Sequence, residues 1–262
     1  MKISSENKSK LNIAVIMAVL AVLAMLMATY AWFSLSLTTK VNTMDLEVTA
    51  GEHMRIDVRD RGNNIENWDK SEVTASDVEG VLSRQLSTYK ILPVTSGNGK
   101  TFYTRQGREV AADELKYLQF VVWMISSVDV DVFLTEKDSE AGNDGTLVTS
   151  DSSNSTAQSD VNRSVRISFN DGSSGRAPIY APDRSGNTTL TVTQAISDSS
   201  GGRQNHFTDA DIDNSSANLF ALKANESKKI TITIWLEGDD ADNDSDQEYA
   251  KFNTRLRFEG VE

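Results

Sequence analysis

Apolar and polar residues alternate with a period of two through most of the chain after residue 33. Because successive side chains of a β-strand point to opposite faces, this alternation predicts strands with one face in a core and the other in water. Residues 118–125 are almost all apolar, which predicts a strand buried on both faces. The other predicted strands cover residues 54–58, 128–134, 165–169, 190–192, 230–236 and 252–258.

Helical periodicity is weak after residue 33, and only residues 69–86 are a candidate for one or two short helices. About eight to ten strands joined by polar loops predict an all-β protein, an antiparallel jelly roll or β-sandwich. Two tracts rich in Ser, Asp, Asn, Thr and Gly, near residues 137–162 and 198–217, predict long surface loops, because they can bury little apolar surface. No internal repeat or linker is visible, so residues 34–262 are expected to form one domain.

The N-terminal region has a different pattern, with three lysines in the first ten residues and no charge in residues 11–33. A helix over this apolar run spans roughly 34 Å, slightly more than a ~30 Å hydrocarbon core. Lysines ahead of such a run keep the N-terminus cytoplasmic and send the remainder across the membrane. Residues 1–33 are therefore a predicted signal peptide or transmembrane helix, followed by an exported, extracellular domain.

Whether this leader is removed stays open from the sequence. Thr29 and Ala31 are small residues two positions apart, which predicts a signal peptidase cut after Ala31 and before Trp32. The apolar run exceeds the usual 7–15 residues of a signal peptide, which favours a retained anchor in the membrane. The expected location is the cell surface or the extracellular matrix.

Composition narrows the function classes. The net charge of −12 becomes −14 once residues 1–31, with three lysines and one glutamate, are removed. So acidic a surface argues against nucleic acid or anionic lipid as a partner. The chain has no cysteine and two histidines, and it lacks the HExxH and GxSxG motifs. We therefore expect no thiol chemistry, no three-histidine zinc site and no enzymatic activity.

One cluster could bind a metal ion. Residues 239–248 hold acidic side chains at alternate positions, and Ca²⁺ takes six to eight oxygen ligands in flexible loops. The run lacks the central glycine and flanking helices of an EF-hand. A solvated hairpin loop is the alternative to a Ca²⁺ site. The candidate ligands are Asp240, Asp242, Asp244 and Asp246.

Several segments together resemble the TasA/camelysin-like exported proteins of Firmicutes, whose leaders are processed by a SipW-type signal peptidase. The resemblance is carried by the threonine-aromatic-alanine junction at Thr29–Ala31, by YLQFVVWMISSVDVDVFL at residues 117–134 and by ITIWLEG at residues 232–238. It also includes residues 165–169 and IYAPD at residues 179–183. The chain departs from the family pattern at residues 239–248, where an acidic run replaces a cysteine.

The resemblance implies a jelly-roll subunit of extracellular biofilm-matrix fibres. In such fibres, the strand after the cleavage site completes the sheet of the next subunit, so the main partner is another copy of the chain. Phe33, Leu35 and Leu37 alternate with polar residues as such a strand requires, and the hinge is expected from Lys40 onward. Two other functions remain open: a membrane-anchored surface module for binding or adhesion, and a type IV pilin-like subunit with the apolar helix in a filament core.

Overall fold

The structure is a computed structural model that describes residues 16–23, 39–47, 53–86, 89–104, 106–134, 146–158, 161–182, 190–194, 218–238 and 250–262. Its contacts divide the chain into two units, residues 1–36 and residues 37–262. In the first unit, residues 16–23 form a helix, α1, with exposed side chains. Within the described ranges, no helix is both long and apolar enough to cross a membrane. Most of the predicted span 11–33 lies outside those ranges.

The second unit contains sixteen strands and one α-helix within its described residues. The helix is α2 (Ala75–Leu82), inside the region predicted to be helical. The strands are β1 (Thr39–Glu47), β2 (Met54–Asp57), β3 (Glu72–Val73), β4 (Lys90–Ile91), β5 (Phe102–Tyr103), β6 (Glu109–Val110), β7 (Leu118–Ser126), β8 (Val130–Leu134), β9 (Leu147–Ser150), β10 (Val165–Asn170), β11 (Pro178–Pro182), β12 (Leu190–Gln194), β13 (Phe220–Leu222), β14 (Lys228–Leu236), β15 (Lys251–Leu256) and β16 (Phe258–Val261).

The strands form four sheets. The largest has the order β12-β11-β10-β14-β7-β2, and a second has the order β3-β1-β15-β9, with β4 also paired to β1. Smaller sheets are β13-β8-β16 and β5-β6. The pairing within these sheets is antiparallel with one exception, because β1 runs parallel to β15. The described chain is thus mostly β-sheet, as the alternation predicts, but the expectation of a wholly antiparallel protein is wrong at β1.

The main core lies between the large sheet and the sheets that contain β15 and β16. Ile167 and Ile232 of the large sheet share one buried apolar cluster with Phe252 of β15. The rings of Phe169 and Phe258 meet edge to face at 5.7 Å between centroids, so they join the two layers. Burying side chains of this size contributes about 1.5–3 kcal/mol each, which makes this cluster the main source of stability.

A smaller apolar cluster covers the opposite face of the large sheet. Trp235 of β14 contacts the ring of Phe102, which in turn lies 4.2 Å from the ring of Tyr117. This smaller cluster does not shield all of β7, where Val121 and Trp123 remain half-buried. The prediction that β7 is buried on both faces is therefore correct for only part of the strand.

A single residue, Arg257, separates β15 from β16 in the sequence; β15 pairs with β9, and β16 pairs with β8. At the junction, the Thr146 hydroxyl donates to the Arg257 carbonyl at 3.1 Å and accepts from the Arg257 N–H at 3.0 Å. The predicted polar loop over residues 137–162 therefore contains a strand, with Val148 and Val161 fully buried. The loop prediction is wrong at residues 147–150, where the backbone pairs with β15 and Val148 is buried in the core. The predicted loop 198–217 lies outside the described residues.

Candidate functional site

The feature most relevant to function is the place of β1 in its sheet. On one side, β1 pairs with β15 from Lys40, opposite Lys251, to Leu46, opposite Leu256. These partners are more than two hundred positions apart in the sequence, at opposite ends of the second unit. The first strand of this unit is thus inserted beside one of its last strands.

Among the described residues, strand pairing on the other side of β1 occurs at its two ends. Thr39 and Lys40 pair with β4, and Leu46 and Glu47 pair with β3. The helix α2, which lies between β3 and β4 in the sequence, also packs against β1. Consequently β1 has one long strand neighbour and two very short ones.

The sequence predicted a hinge from Lys40 onward, and this prediction is wrong because residues 39–47 are a strand. The pairing with β15 shifts its register between Val41 and Thr43, which is a β-bulge or an irregularity. An extra residue at this point breaks the period of two, so the apolar positions Val41, Met44 and Leu46 do not alternate regularly. This irregular spacing conceals the strand from pattern analysis.

The elements around β1 contribute fully buried apolar side chains to the main core. Val73 of β3, Val78 of α2 and Ile91 of β4 have no exposed surface, and neither do Phe252 and Leu256 of β15. A chain without β1 would leave unpaired backbone groups on β15 next to these apolar residues. Such an edge is a template for pairing with another strand.

Asp77 fastens α2 to the residues before it. One carboxylate oxygen accepts from the Lys70 ammonium at 2.6 Å, and the other accepts from the Thr74 N–H at 3.0 Å and the Thr74 hydroxyl at 2.9 Å. The Lys70 hydrogen bond and the backbone N–H of Thr74 lower the pKa of Asp77, so it is ionised at neutral pH. Thr74 is also the N-cap of α2, which completes a capping box.

A charged cleft lies between α2 and the end of β2. It is lined by residues that include Asp57, Arg59, Arg61, Lys70 and Asp77. Asp57 is almost fully buried and accepts from the Arg61 Nε at 2.7 Å and the Arg59 N–H at 3.1 Å. Because each carboxylate has a cationic partner, these contacts hold the β2–α2 connection in place.

The residues proposed from the sequence as sites lie outside the described ranges. This applies to the leader residues Thr29, Ala31 and Trp32, to the strand residues Phe33, Leu35 and Leu37, and to the acidic residues Asp240, Asp242, Asp244 and Asp246. Across the described ranges, no group of three or more His, Cys, Asp or Glu side chains could hold a metal ion. His53 is described, and its Nδ1 lies 3.2 Å from the Ser127 hydroxyl.

Comparison of the chain with models of protein families, with curated proteins and with solved structures finds no match. The parallel pairing of β1 with β15 and the cap formed by α2 were not found by sequence reasoning. The capping box was the available signal, since Thr74 precedes Asp77 by three positions at the start of the predicted helical region. Nothing in the sequence pattern indicates that residues 39–47 pair with the C-terminal strand.

Proposed function

We propose that this chain is an extracellular structural protein, a subunit of surface or biofilm-matrix fibres that assembles by donation of its first strand. The observation that supports this proposal is the position of β1, paired along its length with β15 and joined to later strands only through residues 48–52. Rerouting this single connection would carry β1 to the same place in a neighbouring copy. The donated segment is then β1 together with the predicted strand 33–37 before it.

The fold proposed with this function is a jelly-roll form of the β-sandwich. Two observations support this fold: sheets pack in two layers around the main core, and β1 pairs with β15, which lies more than two hundred residues later in the sequence. We also propose kinship with the TasA/camelysin-like proteins, export by the N-terminal leader and cleavage after Ala31. In this proposal, the acidic run 239–248 is a surface loop that binds Ca²⁺ or remains solvated.

Strand donation is energetically plausible because the same contacts are made within one chain or between two. The backbone pairs of β1 with β15, β3 and β4 are lost when β1 leaves and regained when a second copy supplies it. A net value of about 0.5–1.5 kcal/mol per hydrogen bond makes a strand of this length hard to release once it is placed. Assembly is therefore expected to be slow to start and stable once formed.

The first test is to determine the N-terminus of the protein from its native host and to image the secreted material by negative stain. The proposal predicts a mature chain that starts at Trp32, together with fibres. A chain that keeps Met1 and appears as single particles would support the membrane-anchored binding module. Filaments of a chain that starts near Leu11 would support the pilin-like reading.

The second test changes the predicted donor segment. Leu35→Asp with Leu37→Asp should give a folded protein that does not form fibres, because β1 keeps its place beside β15 in the monomer and the partners of Leu35 and Leu37 lie in another subunit. Ser34→Asp with Ser36→Asp is the matched control and should still assemble. If the leucine variant unfolds by circular dichroism, residues 33–37 complete their own domain in the monomer, which contradicts a role confined to the neighbouring subunit.

A further inference from the structure

The two sides of β1 differ in how they could open. The β15 side is held over Lys40 to Leu46, and β15 is itself held on its far side by β9. The opposite side is formed by one chain segment, residues 70–86 and 89–91, which contains β3, α2 and β4. We call this segment the cover, because it lies against the side of β1 that does not face β15.

The cover is built from short elements. Its two strands have two residues each and its helix has eight, with Gly80 in the interior. A helix of this length is not stable alone in water, and an interior glycine weakens it further. The cover therefore depends on Val73, Val78 and Ile91, which are buried in the main core, and on the contacts of Asp77.

Apart from its buried side chains and a hydrogen bond from the Tyr89 hydroxyl to the Tyr117 carbonyl at 3.0 Å, the cover is fastened by local hydrogen bonds. Lys70 and Thr74 both donate to the Asp77 carboxylate, and Glu79 accepts from the Leu86 N–H at 2.7 Å. The β2 strand is tied to the cover at its start, where the Ile56 N–H donates to the Lys70 carbonyl at 3.1 Å. Both strands of the cover pair with β1, which belongs to a different sheet from β7. The cover can therefore open while the large sheet keeps its pairing, which is the condition for a separate opening unit.

We infer that the cover opens as a unit and that this opening is the step by which β1 leaves its own domain or enters that of another copy. The inference rests on the proposed function for the exchange step, but opening in the monomer is independent of it. The α2 helix then controls how often β1 becomes free. Changes that stabilise α2 slow the release of β1, and changes that destabilise α2 accelerate it.

Two substitutions in α2 test this inference in opposite directions. Gly80→Ala places a methyl group where no atom lies within 4 Å, so it should stabilise the helix without a clash. Thr74→Ala removes the N-cap. Each should change the opening equilibrium about fivefold, the first downward and the second upward. Gly175→Ala is the matched control, since its methyl group is equally unhindered and lies outside the cover.

The measurement is hydrogen exchange by mass spectrometry on the monomeric protein, read separately on peptides from the cover, β1 and β7. The expected result is that exchange of β1 slows about fivefold in Gly80→Ala and accelerates about fivefold in Thr74→Ala, together with the cover. Exchange of β7 should be slower than that of β1 in every variant, because β7 opens when the whole domain unfolds. In Gly175→Ala, exchange of the cover and of β1 should stay unchanged. If the cover responds and β1 does not, or if β1 exchanges as slowly as β7 in the wild type, the inference is overturned.

Fibre assembly by the same variants separates the inference from the proposed function. Under both, the lag before assembly lengthens for Gly80→Ala and shortens for Thr74→Ala. Absence of fibres from every variant, with the expected exchange of β1, would contradict strand donation and leave the opening cover intact. If all variants form normal fibres with the same lag as the wild type, the role of the cover in strand exchange between subunits would be contradicted.

Discussion

Gly99 is the position where one methyl group should have the largest calculable effect. Its φ is +66°, and a Cβ there would lie 2.8 Å from the Ser168 Cβ and 3.1 Å from the Ala177 Cβ. The loop is held against the large sheet because the Ser168 hydroxyl donates to the Gly99 carbonyl at 2.7 Å. Gly99→Ala therefore adds both an unfavourable backbone conformation and a close contact.

The two costs can be separated with a second glycine. Gly172 has a φ of +83° and no atom within 4 Å of an added Cβ, so Gly172→Ala has only the backbone cost, about 1–2 kcal/mol. At Gly99, overpacking against β10 and the residues near β11 adds about 1–3 kcal/mol. We expect Gly99→Ala to lower the free energy of unfolding by roughly 2–5 kcal/mol, more than Gly172→Ala does.

Urea denaturation followed by tryptophan fluorescence measures both variants. A double-mutant cycle with Ser168→Gly should recover part of the loss, because the nearest atom is removed. Equal destabilisation by the two alanine variants, within about 0.5 kcal/mol, would refute the close packing of this loop on the outer face of the sheet.

Three further predictions concern charge and processing. Although burial opposes ionisation, hydrogen bonds from Lys228 and Ser173 lower the pKa of Asp171 to about 2. Asp171→Asn should therefore lower the free energy of unfolding by about 2 kcal/mol at pH 7. This difference should vanish as the pH falls from about 4 to about 2 in urea titrations, and a constant difference would contradict it. Ala31→Leu should leave a membrane-bound precursor of higher mass on an immunoblot, and the prediction fails if the native protein already keeps Met1. If the acidic run binds Ca²⁺, a Ca²⁺ concentration a hundred times the dissociation constant adds ~2.7 kcal/mol to the free energy of unfolding. Chelation should then lower the melting temperature of the wild type by several degrees. The double variant Asp242→Asn with Asp244→Asn should not respond, and a wild type indifferent to Ca²⁺ leaves only a solvated loop.

The regular strands could be predicted from the sequence because their side chains alternate between core and solvent. Strand β14 is an example, with Ile230, Ile232 and Ile234 buried at every second position. The helix α2 could also be placed within a few residues, from the composition of its region.

The elements around the proposed assembly site could not be predicted, for physical reasons that differ. Strand β1 has an irregular register near Val41. Strand β9 lies in a polar tract, and among its described side chains only that of Val148 is fully buried. Strands β3 and β4 are too short to show any period. The pairing of β1 with β15 joins distant parts of the chain, and local pattern contains no information on such pairing.

The most direct test of strand donation is a cysteine pair at Asp45 and Arg255, which are opposite each other in the β1–β15 register. Neighbouring strands lie ~4.8 Å apart, within the range that a disulfide spans, and the chain has no other cysteine. The matched control pairs Asp45→Cys with Asn253→Cys, two positions out of register and about 8 Å away, too far for a disulfide.

Both double variants are oxidised as monomers and as fibres and compared on non-reducing gels. Strand donation predicts an intramolecular disulfide in the monomer and a ladder of covalent oligomers in the fibre, with neither product from the control. Fibres that contain only the intramolecular disulfide would show that β1 stays in its own subunit, and this result would contradict the account.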